Sequence, residues 1–349
     1  MMRFRFIPLL FCLFFFAQNA WCMGDKAVEY MAGFTTLGTA GPDGKLNGEI
    51  AVWYPSGRPK RAQYSMQAGP WLIRAEMNVP PAKGLFPLIL VSHDMASHAL
   101  AQHDLCSALA EAGFVVAAPT HYADNSKDAN AVFSAALYYH RPRQLMAVLD
   151  SLAKNKKFGK MINFEQIGAL GSGAGALTVL QLAGVDIDPA SCADYCRAAP
   201  ADGVFCNKWA YSRLLRLPAD MQTIRAGYGA NAFSPRLGNL KAVGLLAPGG
   251  LFLLDKSALA GLSAPLAVLS AEQDELYKPE TFPEPLAQTA HTRLLKNLDH
   301  YSMNAVCPEE IFSLLPELCG AAPQDIRAEA ARERDHFFIT FFQSALAGS

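Results

Sequence analysis

Short, continuous apolar runs alternate with segments of helical spacing along most of this chain. The runs that predict strands are 48–57, 87–94, 114–119, 166–171, 241–248 and 265–274. Runs without polar interruptions are typical of strands buried on both faces of a sheet. Helical spacing covers 99–113, 141–155 with Pro142 in its first turn, 174–184, and the amphipathic tail "RDHFFITFFQSALAG".

This alternation predicts an α/β fold with a doubly wound, mostly parallel sheet and helices on both faces. The rhythm breaks between about residues 185 and 238, where three cysteines and several prolines and glycines occur. We expect a cap-like insertion there, over the carboxyl edge of the sheet, which is where active sites of such sheets lie.

The N-terminus has the pattern of a secretory signal peptide. "MMRFRF" carries two arginines, an apolar run follows over 7–17, and Gln18-Asn19 ends it. We predict a signal peptide over 1–22, a domain over 23–349, and export to the periplasm or the medium. Cleavage after Ala20, an uncleaved anchor and a lipidated Cys22 remain alternatives. After cleavage we expect no stable membrane span, because no other apolar stretch is long enough.

Export changes the interpretation of the cysteines. Six follow the signal peptide: Cys106, Cys192, Cys196, Cys206, Cys307 and Cys319. In an oxidising compartment they predict disulfides, with fifteen possible pairings. Local spacing favours Cys307–Cys319 and one pair among Cys192, Cys196 and Cys206. A zinc site built from "CADYC" is the alternative.

Composition and charge indicate a large core and argue against some kinds of partner. The chain has 349 residues, 51% of them hydrophobic, and a formal net charge of -1. A large buried core is therefore expected, and nucleic acid is not an expected partner. "HDMASHALAQHD" holds three histidines and two aspartates over 93–104, but a spacing of five spreads the histidines around a helix, so no metal is expected. The oligomeric state stays open.

A glycine-rich turn is the strongest candidate for chemistry. "GALGSGAGALTVL" (168–180) reads as a strand, a sharp turn and a helix. Hydrolases of the α/β type place a nucleophile in such a turn, as serine between two glycines in the pattern glycine, any, serine, any, glycine. Here Gly171 and Gly175 flank the pattern, but Gly173 stands in the serine position.

The order of several motifs resembles exported α/β-hydrolases. These are "VWYP", "PLILVSHD", "LAEAGFVVAAPTH", "RPRQLMAVLDSL", "IGALGSGAGALTVLQLAG", "PLAVLSAEQDE" and "HYSMNAVC". The chain from about residue 38 is similar to predicted dienelactone hydrolases and platelet-activating-factor acetylhydrolase-like esterases. The resemblance implies an α/β-hydrolase fold with a small cap. It also implies hydrolysis of a small ester, lactone or acyl ligand by a serine or cysteine, a histidine and an acid, without a cofactor.

The resemblance assigns the histidine to His300 and the acid to Asp274, with Glu272 and Glu275 as competitors for the acid. It puts the nucleophile slot on Gly173, which cannot attack anything, and leaves Ser172 as a weak substitute nucleophile. A structural role near the site is expected for His121.

The resemblance also implies an oxyanion hole formed by the backbone N–H groups of Ala174 and Met95. Here the sequence departs from the family pattern a second time, because Asp94 replaces the family's glycine. A charge on Asp94 would oppose a developing oxyanion.

Two functions follow. One is an ester or lactone hydrolase that uses Ser172 or a less usual nucleophile. The other is a catalytically silent scaffold that binds a small acyl ligand or a partner protein, and the missing serine favours it.

Overall fold

A computed structural model describes residues 29–347, except 41–45, 60, 62, 230–234, 256, 258, 260, 280–281, 283–290 and 315. The predicted signal peptide lies outside the described residues. Within the described ranges, no helix has both the length and the apolar character needed to cross a membrane.

Nine strands form one mixed sheet in the order β11-β10-β9-β8-β6-β7-β2-β1-β5. Within the described ranges the strands, including the separate hairpin β3-β4, are β1 Met31–Ala40, β2 Leu46–Ser56, β3 Met66–Ala68, β4 Trp71–Ile73, β5 Glu76–Met77, β6 Phe86–Ser92, β7 Val115–Pro119, β8 Ile162–Ser172, β9 Leu240–Leu246, β10 Leu266–Ala271 and β11 His291–Leu295. From β7 to β11 all neighbours are parallel, while β2 pairs antiparallel with β1 and β7. The predicted doubly wound, mostly parallel sheet is confirmed.

Helices cover both faces of this sheet. They are α1 His103–Glu111, α2 Ala135–Lys154, α3 Phe158–Met161, α4 Gly175–Leu182, α5 Ser191–Ala198, α6 Lys208–Leu214, α7 Leu217–Tyr228, α8 Glu309–Leu314 and α9 Gln324–Ala347. One buried cluster joins the sheet to α2, α4 and the 185–238 insertion, and the other joins it to α1 and α9. Because both faces are covered, the central strands read as continuous apolar runs.

Two predicted helix starts were wrong. Helix α1 begins at His103 rather than at 99, because the preceding residues form turns in which the N–H of Ala99 is bonded to the Thr120 side chain. Helix α2 begins at Ala135, so Pro142 lies inside it. A proline in a helix leaves the carbonyl four residues earlier without its donor. Here Gln181 of α4 donates its side-chain N–H to that carbonyl, on Tyr138, at 3.2 Å.

Two disulfides are formed. Cys307–Cys319 is the predicted local pair, and Cys196–Cys206 is the pair within the predicted cluster. Cys106 and Cys192 remain buried thiols. Since Cys196 is bonded to Cys206, the "CADYC" segment does not offer two thiolates to zinc. The expected insertion consists of α5, α6, α7 and their connections, as far as the structure describes it.

Candidate active site

Four loops meet at the carboxyl edge of the sheet. Asp94 follows β6, Gly173 follows β8, Asp274 follows β10 and His300 follows β11. The register brings the ends of neighbouring strands level, since Ser92 pairs with Gly171. Carboxyl ends of parallel strands share one edge, so residues far apart in sequence converge there.

His300 lies between two carboxylates. Its Nδ1 is 2.9 Å from Oδ2 of Asp274, and its Nε2 is 3.0 Å from Oδ2 of Asp94. His300 and Asp274 are both buried. The sequence predicted the first contact, which holds the ring in one orientation, but it did not predict the second.

Oδ1 of Asp94 lies in the predicted oxyanion pocket. It accepts hydrogen bonds from the backbone N–H of Ala174 at 2.7 Å and of Met95 at 2.6 Å. The hydroxyl of Tyr277 donates a third, at 3.0 Å. Both backbone donors expected from the sequence therefore converge, and a carboxylate oxygen of this chain occupies the pocket.

Gly173 explains how that carboxylate fits. Its φ is +53°, which is the left-handed region that a sharp turn requires. A Cβ at this residue would lie 2.0 Å from Cγ of Asp94. Asp94 thus occupies the volume that a side chain at residue 173 would need.

Ser172 points to a different set of partners. Its Oγ lies 3.4 Å from Nε2 of Gln102, which also donates to Asn304 at 2.7 Å. Ser172 is buried, and both ring nitrogens of His300 face carboxylates instead of this hydroxyl. The structure does not bring Ser172 together with His300.

The electrostatics of the cluster follow from these contacts. Burial alone would lower the pKa of His300, but hydrogen bonds to Asp274 and Asp94 and their charges raise that pKa to about 10. Burial would raise the pKa of Asp94, but its contacts with His300, Ala174 and Met95 lower it overall. The raised pKa of His300 and the lowered pKa of Asp94 together favour an ion pair between these two side chains at neutral pH.

Buried polar groups fix the loop that carries Asp94. Arg141 of α2 donates to the carbonyls of His93 at 2.6 Å and of Asp94 at 2.9 Å. Its guanidinium also pairs with Asp124 at 2.7 Å, and Asp124 accepts the N–H of Ala96 at 2.7 Å. Both charged side chains are almost fully buried. We call Arg141 and Asp124 the loop clamp.

Two histidines complete this support. His93 accepts the backbone N–H of His121 on Nε2 at 3.0 Å, and its Nδ1 lies 2.6 Å from the carbonyl oxygen of Asp94. His121 contacts Ser92 at 2.9 Å and Gln144 at 2.7 Å. Burial lowers the pKa of both histidines well below its usual value, so they are neutral hydrogen-bonding groups.

Aromatic rings pack against one side of His300, and a cleft reaches this residue from another side. The ring of Tyr277 packs edge-on against His300, with centroids 4.8 Å apart, and lies 5.9 Å from Phe205 of the insertion. Phe252 adjoins Phe205 at 5.0 Å. A cleft of about 510 Å³ reaches His300, and its lining includes Leu276, Glu275, Asp299 and Tyr301.

Asp94 is the site residue whose role the sequence did not predict. The sequence predicts that its charge opposes an oxyanion, and that Gly173 and Asp94 are two changes at the same site, both unfavourable to acyl transfer. In the structure the two positions form one arrangement, because the Asp94 side chain lies where a side chain at 173 would have to be. The available signal was that both positions directly follow predicted buried strands.

The described residues were also compared with the ligand arrangements that metal ions require. Among the described residues, no group of three or more histidine, cysteine, aspartate or glutamate side chains is arranged to hold a metal ion. In the 93–104 segment, His93 faces the loop of Asp94, whereas His103 packs near Trp71.

Comparison with known proteins identifies the fold. No family model matches the chain, and no curated protein matches it in sequence. Among solved structures, a ferulic acid esterase from Streptomyces cinnamoneus matches with a TM-score of 0.56 and 17% identity, over 93% of each chain. The chain therefore has an α/β-hydrolase fold, with an esterase as a structural neighbour.

Proposed function

We propose that this protein is a hydrolase whose catalytic set is Asp94, His300 and Asp274, with no serine or cysteine nucleophile. The observation that carries the proposal is the position of the Asp94 carboxylate. One oxygen contacts the histidine, and the other lies between two backbone donors. In this arrangement Asp94 occupies the place of the family's nucleophile, His300 moves protons and Asp274 orients His300.

The alternative of a silent scaffold is not favoured. A site that has lost its chemistry has no need for two buried carboxylates on one histidine, since burying charges costs free energy unless they are well paired. Here the carboxylates are paired and held by a buried clamp, which is what a preorganised catalytic group requires.

The substrate class implied by the sequence resemblance is a small carboxylic ester or lactone. The apolar packing of Tyr277 against Phe205, directly beside His300, is compatible with an uncharged ligand. The acidic side chains at the cleft, Glu275 and Asp299, disfavour an anionic one.

Export is part of the proposal. The N-terminal pattern supports it, and two disulfides are compatible with an oxidising compartment. Mass spectrometry of the protein recovered from periplasm or medium tests it, and an N-terminus near residue 21 or 23 is the expected result.

A variant series on the purified protein tests the catalytic set. The substrates are nitrophenyl esters, lactones and bromoalkanes, and the variants are Asp94→Asn, His300→Ala and Ser172→Ala. We expect Asp94→Asn and His300→Ala each to lose at least about 100-fold in kcat, while Ser172→Ala retains activity. An exposed carboxylate on α2 supplies the matched control, Asp150→Asn.

Other outcomes contradict the proposal. Loss of activity in Ser172→Ala with full activity in Asp94→Asn would identify a displaced serine. Absence of turnover on every substrate by the wild-type protein would favour the silent scaffold.

A further inference from the structure

The two oxygens of Asp94 have different surroundings, and this difference carries chemical information. Oδ1 accepts three hydrogen bonds, from Ala174, Met95 and Tyr277. Oδ2 contacts only the ring of His300 among the hydrogen bonds described for it. The Asp94 side chain also keeps 16% of its surface exposed, while that of Asp274 is fully buried. Because three donors already hold Oδ1, Oδ2 is the oxygen of Asp94 whose lone pairs are less engaged.

The filled pocket limits which carbon Oδ2 can attack. Attack on an ester carbonyl creates an oxyanion on the substrate, and that oxyanion needs hydrogen-bond donors. The N–H groups of Ala174 and Met95 already hold Oδ1 of Asp94. Attack on a saturated carbon needs no such donors, because the charge leaves with the departing group.

Resting on the proposed function, we infer that Asp94 is a covalent nucleophile toward saturated carbon, and that the substrate is an uncharged alkyl compound with a halide-type leaving group. Carboxylates form covalent intermediates of this kind in enzymes. In the first step an Oδ2 electron pair bonds to the carbon, and the carbon–halogen bond breaks. The halide departs with that bond's electrons and needs no proton. An alkyl ester of Asp94 remains.

The hydrogen-bond donors around Oδ1 then serve the second step, in which water hydrolyses the alkyl ester of Asp94. Esterification removes the charge of Asp94, so His300 can release its proton to solvent and act as a base. A water gives a proton to Nε2, and its oxygen bonds to Cγ of Asp94. The negative charge formed in this step falls on Oδ1, which already faces Ala174, Met95 and Tyr277.

Collapse of this intermediate completes the cycle. The Cγ–Oδ2 bond breaks, and the alcohol leaves with the proton from His300. Asp94 keeps an oxygen derived from water and passes its proton to His300. In sum, the alkyl halide and water give an alcohol, a halide ion and one proton.

Two features near the cluster support an uncharged alkyl substrate. The set carries two carboxylates for one imidazolium, so an anionic substrate is repelled. Tyr277, Phe205 and Phe252 pack together beside it, and such an apolar neighbourhood is compatible with an alkyl chain rather than with a charged group.

Isotope labelling of the purified full chain tests this inference. The probe is 1-bromohexane, with bromide release as the rate measurement and a single turnover in H₂¹⁸O as the label measurement. We expect the first alcohol formed to carry ¹⁶O and the peptide containing Asp94 to gain ¹⁸O. We also expect His300→Ala to accumulate a hexyl adduct on that peptide, Asp94→Asn to form none, and Asp150→Asn to behave as the wild type.

The possible failures separate the two proposals. An alcohol that carries ¹⁸O in the first turnover would mean direct attack by water and would overturn the covalent step. Ester turnover that depends on Asp94 and His300, without bromide release, would overturn the substrate class but keep the proposed catalytic set. Turnover of neither class would contradict both.

Discussion

Asp94 and Gly173 occupy one volume, which makes the two positions depend on each other. A Cβ at 173 would lie 2.0 Å from Cγ of Asp94. Asp94 cannot move aside without losing its contacts with Ala174, Met95 and His300. At the scale of the residue, the aspartate at 94 and the glycine at 173 therefore require each other.

Gly173→Ser alone is expected to destabilise the protein and to give no esterase activity. The new side chain collides with a fixed carboxylate at a residue with φ of +53°. The double variant Asp94→Gly/Gly173→Ser is expected to recover stability and to gain hydrolysis of nitrophenyl acetate, since the serine would then find free backbone donors. Urea denaturation and ester turnover of both variants measure this, and a Gly173→Ser protein as stable as the wild type would refute it.

At the scale of the element, helix α2 holds the loop after β6 in place. Arg141 reaches two carbonyls of that loop and pairs with Asp124, which binds the N–H of Ala96. Ala96 has a positive φ of 53°, a conformation that costs free energy in a non-glycine residue. The clamp offsets that cost and fixes the backbone from which Asp94 reaches His300.

Arg141→Leu is expected to lower the free energy of unfolding by about 3–5 kcal/mol, because it leaves Asp124 buried without its partner. Arg141→Lys is expected to fold but to lose kcat with little change in KM, since a lysine cannot contact both carbonyls and the carboxylate in the same geometry. Denaturant titration and steady-state kinetics measure the two effects. Arg143→Leu on the same helix is the control, and equal losses in both leucine variants would speak against a clamp.

At the scale of the whole molecule, the loops after three strands supply one charged cluster, so its protonation is coupled to folding. The pKa of His300 is about 10 in the folded protein, against 6.5 for an unperturbed histidine. Its contribution to stability is therefore complete below pH 6.5 and is lost as the pH rises through 10.

The free energy of unfolding is accordingly expected to fall between pH 7 and 9.5. Asp94→Asn removes one of the two charges that raise the pKa of His300, so this variant is expected to show a weaker fall. Urea denaturation at several pH values compares the two proteins. Parallel pH dependence in both would show that Asp94 does not set the protonation of His300.

Much of this architecture was predictable because local patterns determine it. Strands β6, β7, β9 and β10 are continuous apolar runs, since helices cover both sides of the sheet. The edge strand β11 escaped prediction because four of its five residues are exposed. The start of α2 escaped because the bond from Gln181 to Tyr138, which compensates for Pro142, is a tertiary contact.

The sequence by itself determined the class of fold, the turn at Gly173, and the loops that carry His300 and Asp274. Each depends on residue types within one short segment. Only the tertiary structure decided what lies beside Gly173, because Asp94 and Gly173 follow different strands that become neighbours when the sheet forms. The Asp94 side chain occupies the volume beside Gly173, and contact across the sheet, which no local pattern records, is the physical reason.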